Sequence, residues 1–367
     1  TGLVTARPEF GELDLVDWAR IVVGGCEIRD VDIFSEIRKL ARESRLFEAE
    51  LLDATADDLA QNDGRITWGT LFGAGEVITS LASPDVPRDT TPRDAVTRIR
   101  EQLKAFRETN DLERVIVVNV ASTEPACTAA LPEQWDDWGP LLDAADSPLP
   151  ASTIYAVAAI EEGCPHVNFT PSLASKPAAV DELARRRGVP HAGCDGKTGE
   201  TLMKSVLGPM FRERNLEVMS WVGHNIFGNL DGKVLDAPQN KQSKVVSKDH
   251  LLAEILGYAP QTLVTIEYIQ SMGDWKTAWD HIHFRGFLNT PMVLQFIWQG
   301  CDSILAAPLV IDLFRLTECA ARFGEAGYLT FLAPFFKSPY GTTDQDFFRQ
   351  TLQLMEWVVR RGRPRGE

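Results

Sequence analysis

Apolar and polar positions along the chain follow two rhythms. Between residues 91 and 215, short wholly apolar runs alternate with stretches whose apolar residues recur every three or four positions. Thr91 to Asn110 carries Ala95, Ile99, Leu103 and Phe106 on one stripe, with Thr91 placed to cap a helix and Pro92 at its first position. Val115 to Val118 is an apolar run of the kind buried on both faces of a parallel sheet. Ser152 and Thr153 are placed to cap a helix that stops at Gly163, His166 to Phe169 is the next strand, and Pro177 to Arg187 the next helix. Val189 to Ala192 then leads through a glycine-rich turn into an amphipathic helix over residues 201–215. Strand alternating with helix predicts an α/β fold with a parallel, doubly wound sheet.

The flanking regions are less regular. Ile21 to Val23 reads as a short strand ending in a turn at Gly24 and Gly25, and residues 31–60 read as helix. Residues 61–92 are mixed, with Gly73 to Val77 a turn, and residues 126–150 read as an acidic, proline-containing surface excursion. After residue 215 the rhythm changes. Two apolar stretches flank a polar region from Gly223 to Asp249. Leu263 to Tyr268 and His281 to Arg285 alternate as strands do, so a second, sheet-rich lobe follows the first. Residues 290–299, 305–323 and 344–360 return to a helical reading.

At 367 residues the chain has room for two domains, or for one large domain with an insertion, and 44% hydrophobic residues supply a sizeable core. A net charge of −15 argues against nonspecific nucleic-acid or anionic-membrane binding, so an anionic ligand must be met by a local cluster of cations. Cysteines at 26, 127, 164, 194, 301 and 319 show neither paired metal-ligand spacing nor a disulfide framework, which fits reduced thiols in the cytoplasm. No segment reads as a membrane span. His281 and His283 lie on one strand face without a third ligand at a familiar spacing, so packing is expected there and no metal site. The tryptophans, including Trp135, Trp138, Trp275 and Trp279, read as packing or interface residues.

The stretch richest in chemistry is His191 to Thr201. It gathers an acid (Asp195), a cation (Lys197) and two hydroxyls (Thr198, Thr201) before a helix N-terminus, where free N–H groups favour an anion. Gly196-Lys197-Thr198 is the ending of a P-loop, but His191 stands where that motif needs its first glycine. A second candidate is the small, polar tail Asn119 to Pro125, because ligands of open α/β sheets bind beyond strand C-termini.

Five polar clusters occur in order: Asp195-Gly-Lys-Thr-Gly; Asn225 to Gly232; Lys244 with Lys248; Gly273-Asp-Trp-Lys276; and Cys301-Asp302-Ser303 with Lys337. In order and approximate spacing they resemble the myo-inositol-1-phosphate synthase (inositol-3-phosphate synthase) family over about residues 115–340, and the lead Gly2 to Thr5 with Val22 to Gly25 resembles an earlier segment of that family. The resemblance implies a Rossmann-type NAD-binding domain, here residues 1–201 and 304–367. A sheet-rich α+β catalytic and tetramerisation domain would be inserted at 202–303. It also implies an isomerase of inositol biosynthesis that converts D-glucose 6-phosphate to 1D-myo-inositol 3-phosphate by internal oxidation, enolisation, aldol cyclisation and reduction. A homotetramer with NAD as cofactor is implied as well. The alternatives are an ordinary NAD-dependent sugar-phosphate dehydrogenase and a catalytically incomplete family member.

Carried across by motif, Lys244, Lys276 and Lys337 are the expected catalytic lysines, with Asp195 and Asp302 orienting them. Lys248, Lys197, Thr198, Asn225, Asn229 and Asp231 are expected at the substrate. The cofactor set is Gly24, Gly25, Glu27, Ile28, Asn119, Ala121, Ser122, Thr123, Ser152, Thr170, Asp195, Asp302 and Ser303. The chemistry suits these types, since lysine ammonium groups steady a developing oxyanion without a metal and shift their proton affinity readily when crowded. Three positions depart from the family pattern: Glu27 where Asp is common, Ile226 for a His, and Leu230 for the second Asn of N-H-L-G-N-N-D-G. The family's first strand and its glycine-rich pyrophosphate loop lie just before a segment like Gly2 to Thr5, so a start at Thr1 is expected to reflect a fragment or a processed chain.

Overall fold

The computed structural model describes residues 2–235 and 251–362. Its first half is organised by parallel strands. β1 (Gly25–Glu27) pairs with β2 (Ile66–Trp68). β3 (Val117–Asn119), β4 (His166–Asn168) and β5 (Pro190–Gly193) pair side by side, and the fourth place in that sheet is filled by β10 (Gly327–Tyr328), beside β5. The helices that connect and cover these strands are α1 (Ile33–Ser44), α2 (Ala49–Ala54), α3 (Ala56–Asp63), α4 (Pro92–Thr109), α5 (Ala151–Glu161), α6 (Ala178–Arg187), α7 (Glu200–Glu213), α8 (Asp302–Arg322) and α9 (Phe347–Gly362). α4 starts as its sequence specifies: Thr91 Oγ1 accepts the Asp94 N–H and the Asp94 carboxylate accepts the Thr91 N–H, a capping box with Pro92 inside it. One core lies between α4, α5 and α6 on one side of the sheet, and another between α8, α9 and residues 329–336 on the other.

The two parallel sheets do not touch. Their facing edges, β1 and β3, both border a cavity of about 1840 Å3, walled above and below by α4 (Ile99, Phe106) and α8 (Val310, Phe314). With the cavity counted as one strand position, the order β2, β1, cavity, β3, β4, β5 reproduces the 3-2-1-4-5-6 arrangement of a dinucleotide-binding sheet.

A third sheet has the order β7-β6-β8-β9. β6 (Glu217–Phe227) runs parallel to β7 (Gln261–Tyr268) and antiparallel to β8 (Trp275–Arg285), which is antiparallel to β9 (Pro291–Cys301). One face packs Val218, Trp221, Ile282 and Phe284 against Phe211 of α7 and Leu252 and Leu256 of the helical residues 251–256. The opposite face carries Leu263, Trp279, Val293 and Ile297, all exposed, and Ile297 is 70% exposed. Among the described residues no helix is long and apolar enough to cross a membrane.

Several sequence expectations need correction. The strand near residue 21 forms at Gly25–Glu27 instead, because the available partner, Ile66–Trp68, lies opposite those residues. The single helix over 31–60 is broken into α1, α2 and α3, with Arg45 and Phe47 in the left-handed region between the first two. Residues 126–150 are not merely a surface excursion, since Trp138 and Leu149 are fully buried against α4–α6. β6 continues through Asn225 to Phe227, into the stretch read as polar connection. Residues 290–299, read as helix, fall almost wholly in β9. Their apolar positions are dense enough to satisfy both periods, and pairing with β8 selects the strand.

The N-terminal segment is tied to α8 by one buried carboxylate. Asp312 accepts the N–H of Val4 (2.7 Å), the N–H of Thr5 (2.9 Å) and the hydroxyl of Thr5 (2.6 Å). Asp312→Ala strands these donors, so denaturant unfolding should show a loss of about 3 kcal/mol. A loss below about 0.5 kcal/mol would mean that water or a neighbour replaces the carboxylate.

Candidate active site

The parallel register sets the site. Asn119, Asn168 and Gly193 are aligned across β3, β4 and β5, so three strands end at one level. Their side chains form a rung. Asn119 Nδ2 donates to Asn168 Oδ1 (3.1 Å) and Thr170 Oγ1 (3.3 Å), and Thr170 Oγ1 donates to Asn168 Oδ1 (2.8 Å). Asn168, fully buried, is a positioning residue that the sequence reading passed over as one residue of a strand.

Beyond β5 the chain turns back through main-chain hydrogen bonds. Asp195 N donates to Thr170 O and Gly196 N to Phe169 O, while Lys197 N donates to Phe335 O and Lys337 N to Asp195 O. Gly196 and Phe336 form an antiparallel bridge. A Cβ on Gly196 would lie 2.1 Å from the Phe169 ring, so the stitch requires glycine. Its outcome is the Lys337–Asp195 ion pair, Nζ to Oδ1 2.7 Å. Lys197 is buried, with Nζ 3.4 Å from Gln350 Oε1 and over the Phe347 ring. Burial, helped by the charge of Lys337, pulls the Lys197 ammonium down to about 8.

A second group stands at one end of the other sheet. Lys276, at the start of β8, places Nζ 3.7 Å from Asp302 Oδ1 and over the Phe227 ring. Asp274 ties this end together. Its carboxylate accepts Asn229 Nδ2 (3.0 Å), the Cys301 thiol (2.7 Å) and the Ser303 N–H (2.9 Å), and its carbonyl accepts the Asp302 N–H. Both oxygens are used, so an amide there would face one donor with another. Asp274 sits inside a motif that drew attention through its lysine, and it was itself missed. The two groups meet where Thr123 Oγ1 approaches Asp231 Oδ1 at 3.5 Å.

Between them lies a buried charged pair, Lys204 Nζ to Glu200 Oε1 at 2.6 Å, with Asn225 Nδ2 donating to Glu200 Oε2 at 2.6 Å. Gly223 makes room, since a Cβ there would lie 2.6 Å from Glu200 Oε1. Helical spacing hid both Glu200 and Lys204 in an ordinary i, i+4 pair. Lys244 and Lys248 lie outside the described residues.

Of the expected cofactor residues, Gly24, Gly25, Glu27, Ile28, Asn119, Ala121, Ser122 and Ser152 border the large cavity. Thr123, Thr170, Asp195, Asp302 and Ser303 lie at the strand ends and at the α8 N-terminus. Glu27 is half-buried. Burial alone would raise its carboxyl, but the Arg29 guanidinium (2.8 Å) and the N–H groups of Ile28 and Arg29 hold it below the usual range. An acid at the end of the strand beside the cavity fits a ribose hydroxyl pair. Ser152 does not cap α5: it stands within the first turn, its hydroxyl accepts the Ala174 N–H, and its own N–H is taken by Glu124.

The family model of myo-inositol-1-phosphate synthase, an NAD-binding family, matches residues 8–360. The inositol-3-phosphate synthase 1 of Bacteroides thetaiotaomicron is 36% identical over 71% of this chain and 63% of its own length. The inositol-3-phosphate synthase 1-A of Xenopus laevis is 34% identical over 74% of this chain and 47% of its own length, so the chain spans about half to two thirds of these relatives. The crystal structure of inositol-3-phosphate synthase from Caenorhabditis elegans superposes with a TM-score of 0.85 at 25% identity, covering 96% of this chain and 72% of that one. With nearly its whole length matched in sequence and in fold, this chain belongs to the myo-inositol-1-phosphate synthase family.

Proposed function

We propose that this chain carries the active site of an inositol-3-phosphate synthase, converting D-glucose 6-phosphate to 1D-myo-inositol 3-phosphate with NAD. Residues 1–201 and 304–367 form the cofactor-binding unit, and 202–303 the catalytic and oligomerising unit. The observation that carries the reading is the pairing of two lysines with two aspartates, Lys337–Asp195 and Lys276–Asp302, at the adjoining ends of the two sheets.

NAD, when bound, would take a hydride from C5 of the sugar and later return it. The residues do the rest. Lys337 exchanges the proton of the C5 hydroxyl: as it gains that proton it passes one to Asp195, and the transfer reverses in the final reduction. Ketone formation at C5 acidifies C6. The proton that leaves C6 is balanced by the one the C1 oxygen takes up when the enolate attacks the C1 aldehyde, and the enolate needs positive charge beside its oxygen. Lys276, steadied by Asp302, supplies it, and Lys244 is assigned to the same step. Lys248, Lys197, Thr198, Asn225, Asn229 and Asp231 hold the phosphate and hydroxyls of the substrate. Six unpaired cysteines support a cytoplasmic location.

A second copy covers the open face of the β7-β6-β8-β9 sheet, as the first contact of a homotetramer. Leu263, Trp279, Val293 and Ile297 form an apolar surface there, and the Phe287–Leu288 turn beside it is more than 80% exposed.

Incubation with glucose 6-phosphate and NAD should yield inositol phosphate without net NADH; net NADH without a cyclised product would favour a dehydrogenase. Lys337→Ala should abolish turnover while circular dichroism stays native, and undiminished turnover would remove its assigned role. Ile297→Asp should shift the protein to smaller assemblies in sedimentation velocity, whereas an unchanged distribution would place the interface elsewhere.

The buried Lys197 predicts a pH signature. Its ammonium is disfavoured in the folded state, where burial brings its pKa down to about 8, so below pH 8 it opposes folding by roughly 3 kcal/mol. Between pH 8 and 10.5 only the unfolded chain keeps the proton, and the penalty fades as pH rises. Lys197→Met should therefore be more stable than the parent at pH 7, with the gap closing toward pH 10. A pH-independent gap would show that Lys197 titrates normally.

A further inference from the structure

Glu124 lies in the tail beyond β3 and is only 7% exposed. Its main-chain N–H donates to Ser172 Oγ (3.2 Å) and its Oε1 accepts the Ser152 N–H (2.8 Å). One oxygen thus satisfies an N–H of the first turn of α5, where the helix dipole favours a negative group. That task needs one acceptor. The second oxygen, Oε2, is buried without a hydrogen-bond partner. An unmatched carboxylate oxygen is costly in a protein interior. Burial pushes the Glu124 carboxyl up to about 7, although the Ser152 and Ser172 groups beside it pull the other way.

Glu124 borders the cavity between β1 and β3, with Asn119, Ala121, Ser122 and Ser152 on the same wall. In a doubly wound sheet the two halves of a dinucleotide lie on either side of the switch point. Glu27, at the end of β1, is on the adenosine side. The end of β3 is across from it, on the side of the nicotinamide and its ribose. The hydrogen-bond donors of that half, ribose hydroxyls and the carboxamide N–H, are neutral and match Oε2 of the ionised carboxyl, the form that a bound donor favours.

We propose that Glu124 Oε2 accepts a hydrogen bond from the ribosyl-nicotinamide half of the dinucleotide, while Oε1 holds the start of α5. The assignment rests on the NAD reading given above. It makes Glu124 a cofactor-binding residue as well as a cap, and it explains why a residue with two acceptor oxygens stands where a helix start needs one.

The test is calorimetric binding of NAD and of ADP, which lacks the nicotinamide half, to the parent, Glu124→Gln and Glu124→Ala proteins, with melting temperatures measured alongside. Glu124→Gln keeps a carbonyl for the Ser152 N–H but puts an amide donor in place of Oε2. It should weaken NAD binding by about tenfold or more, leave ADP binding within about twofold, and melt close to the parent. Glu124→Ala should weaken NAD binding and also lower the melting temperature. Unchanged NAD binding in Glu124→Gln would reduce Glu124 to a cap and overturn the proposal. Equal weakening of ADP would show an effect through the fold and would overturn it too. A parent protein that binds neither nucleotide would refute the NAD reading itself, and this assignment with it.

Discussion

The rest of the site depends on main-chain hydrogen bonds between the tails of β4 and β5 and the segment 335–338. Side chains at strand ends usually sit on loops that wander. Here Asp195, Gly196, Lys197 and Lys337 each have their N–H committed to a carbonyl of a neighbouring segment. The backbone is therefore set before the ammonium of Lys337 meets the carboxylate of Asp195. Such fixed geometry is what a proton-exchanging pair requires, because a misplacement of an ångström costs much of the rate.

Around that stitch the interior holds an unusual amount of charge. Glu200 and Lys204 are paired and almost wholly buried, Lys197 is buried beside an aromatic ring, and Asp274 satisfies three donors at once. Buried pairs of this kind add little net stability, because desolvation offsets most of their attraction. The mostly antiparallel sheet supplies the rigid platform, with Lys276 carried at the start of β8, where Phe227 and Gly300 are its strand partners.

The parallel half of the fold was legible because its signals agree. In α4 the cap, the proline and the apolar stripe all name the same helix, and β4 and α6 are bounded by clear breaks. β9 was not legible: Met292 to Trp298 is so rich in apolar residues that strand and helix periods both fit, and only the ladder to β8 decides. The family pattern named Asp195, Lys276, Asp302 and Lys337 together, although Asp195 and Lys337 stand 142 positions apart. Asn168, Asp274 and Glu124 were not, because their roles come from side-chain partners far away in sequence, which no local spacing encodes.

The place of β10 has a consequence for how the molecule is made. The parallel sheet takes its fourth strand from residues 327–328, beside a strand laid down at 190–193, and Val4 and Thr5 are held by Asp312 across more than 300 positions. A nascent chain emerging from the ribosome can complete the local β4–α6–β5 unit early. It cannot close the sheet, hold Val4 and Thr5 or bring Lys337 to Asp195 until residues 312–337 have been synthesised. Contacts of such long sequence separation form late and slowly. During synthesis the edge of β5 stays open, which makes this edge the natural place for chaperone contact or for misassembly between neighbouring chains.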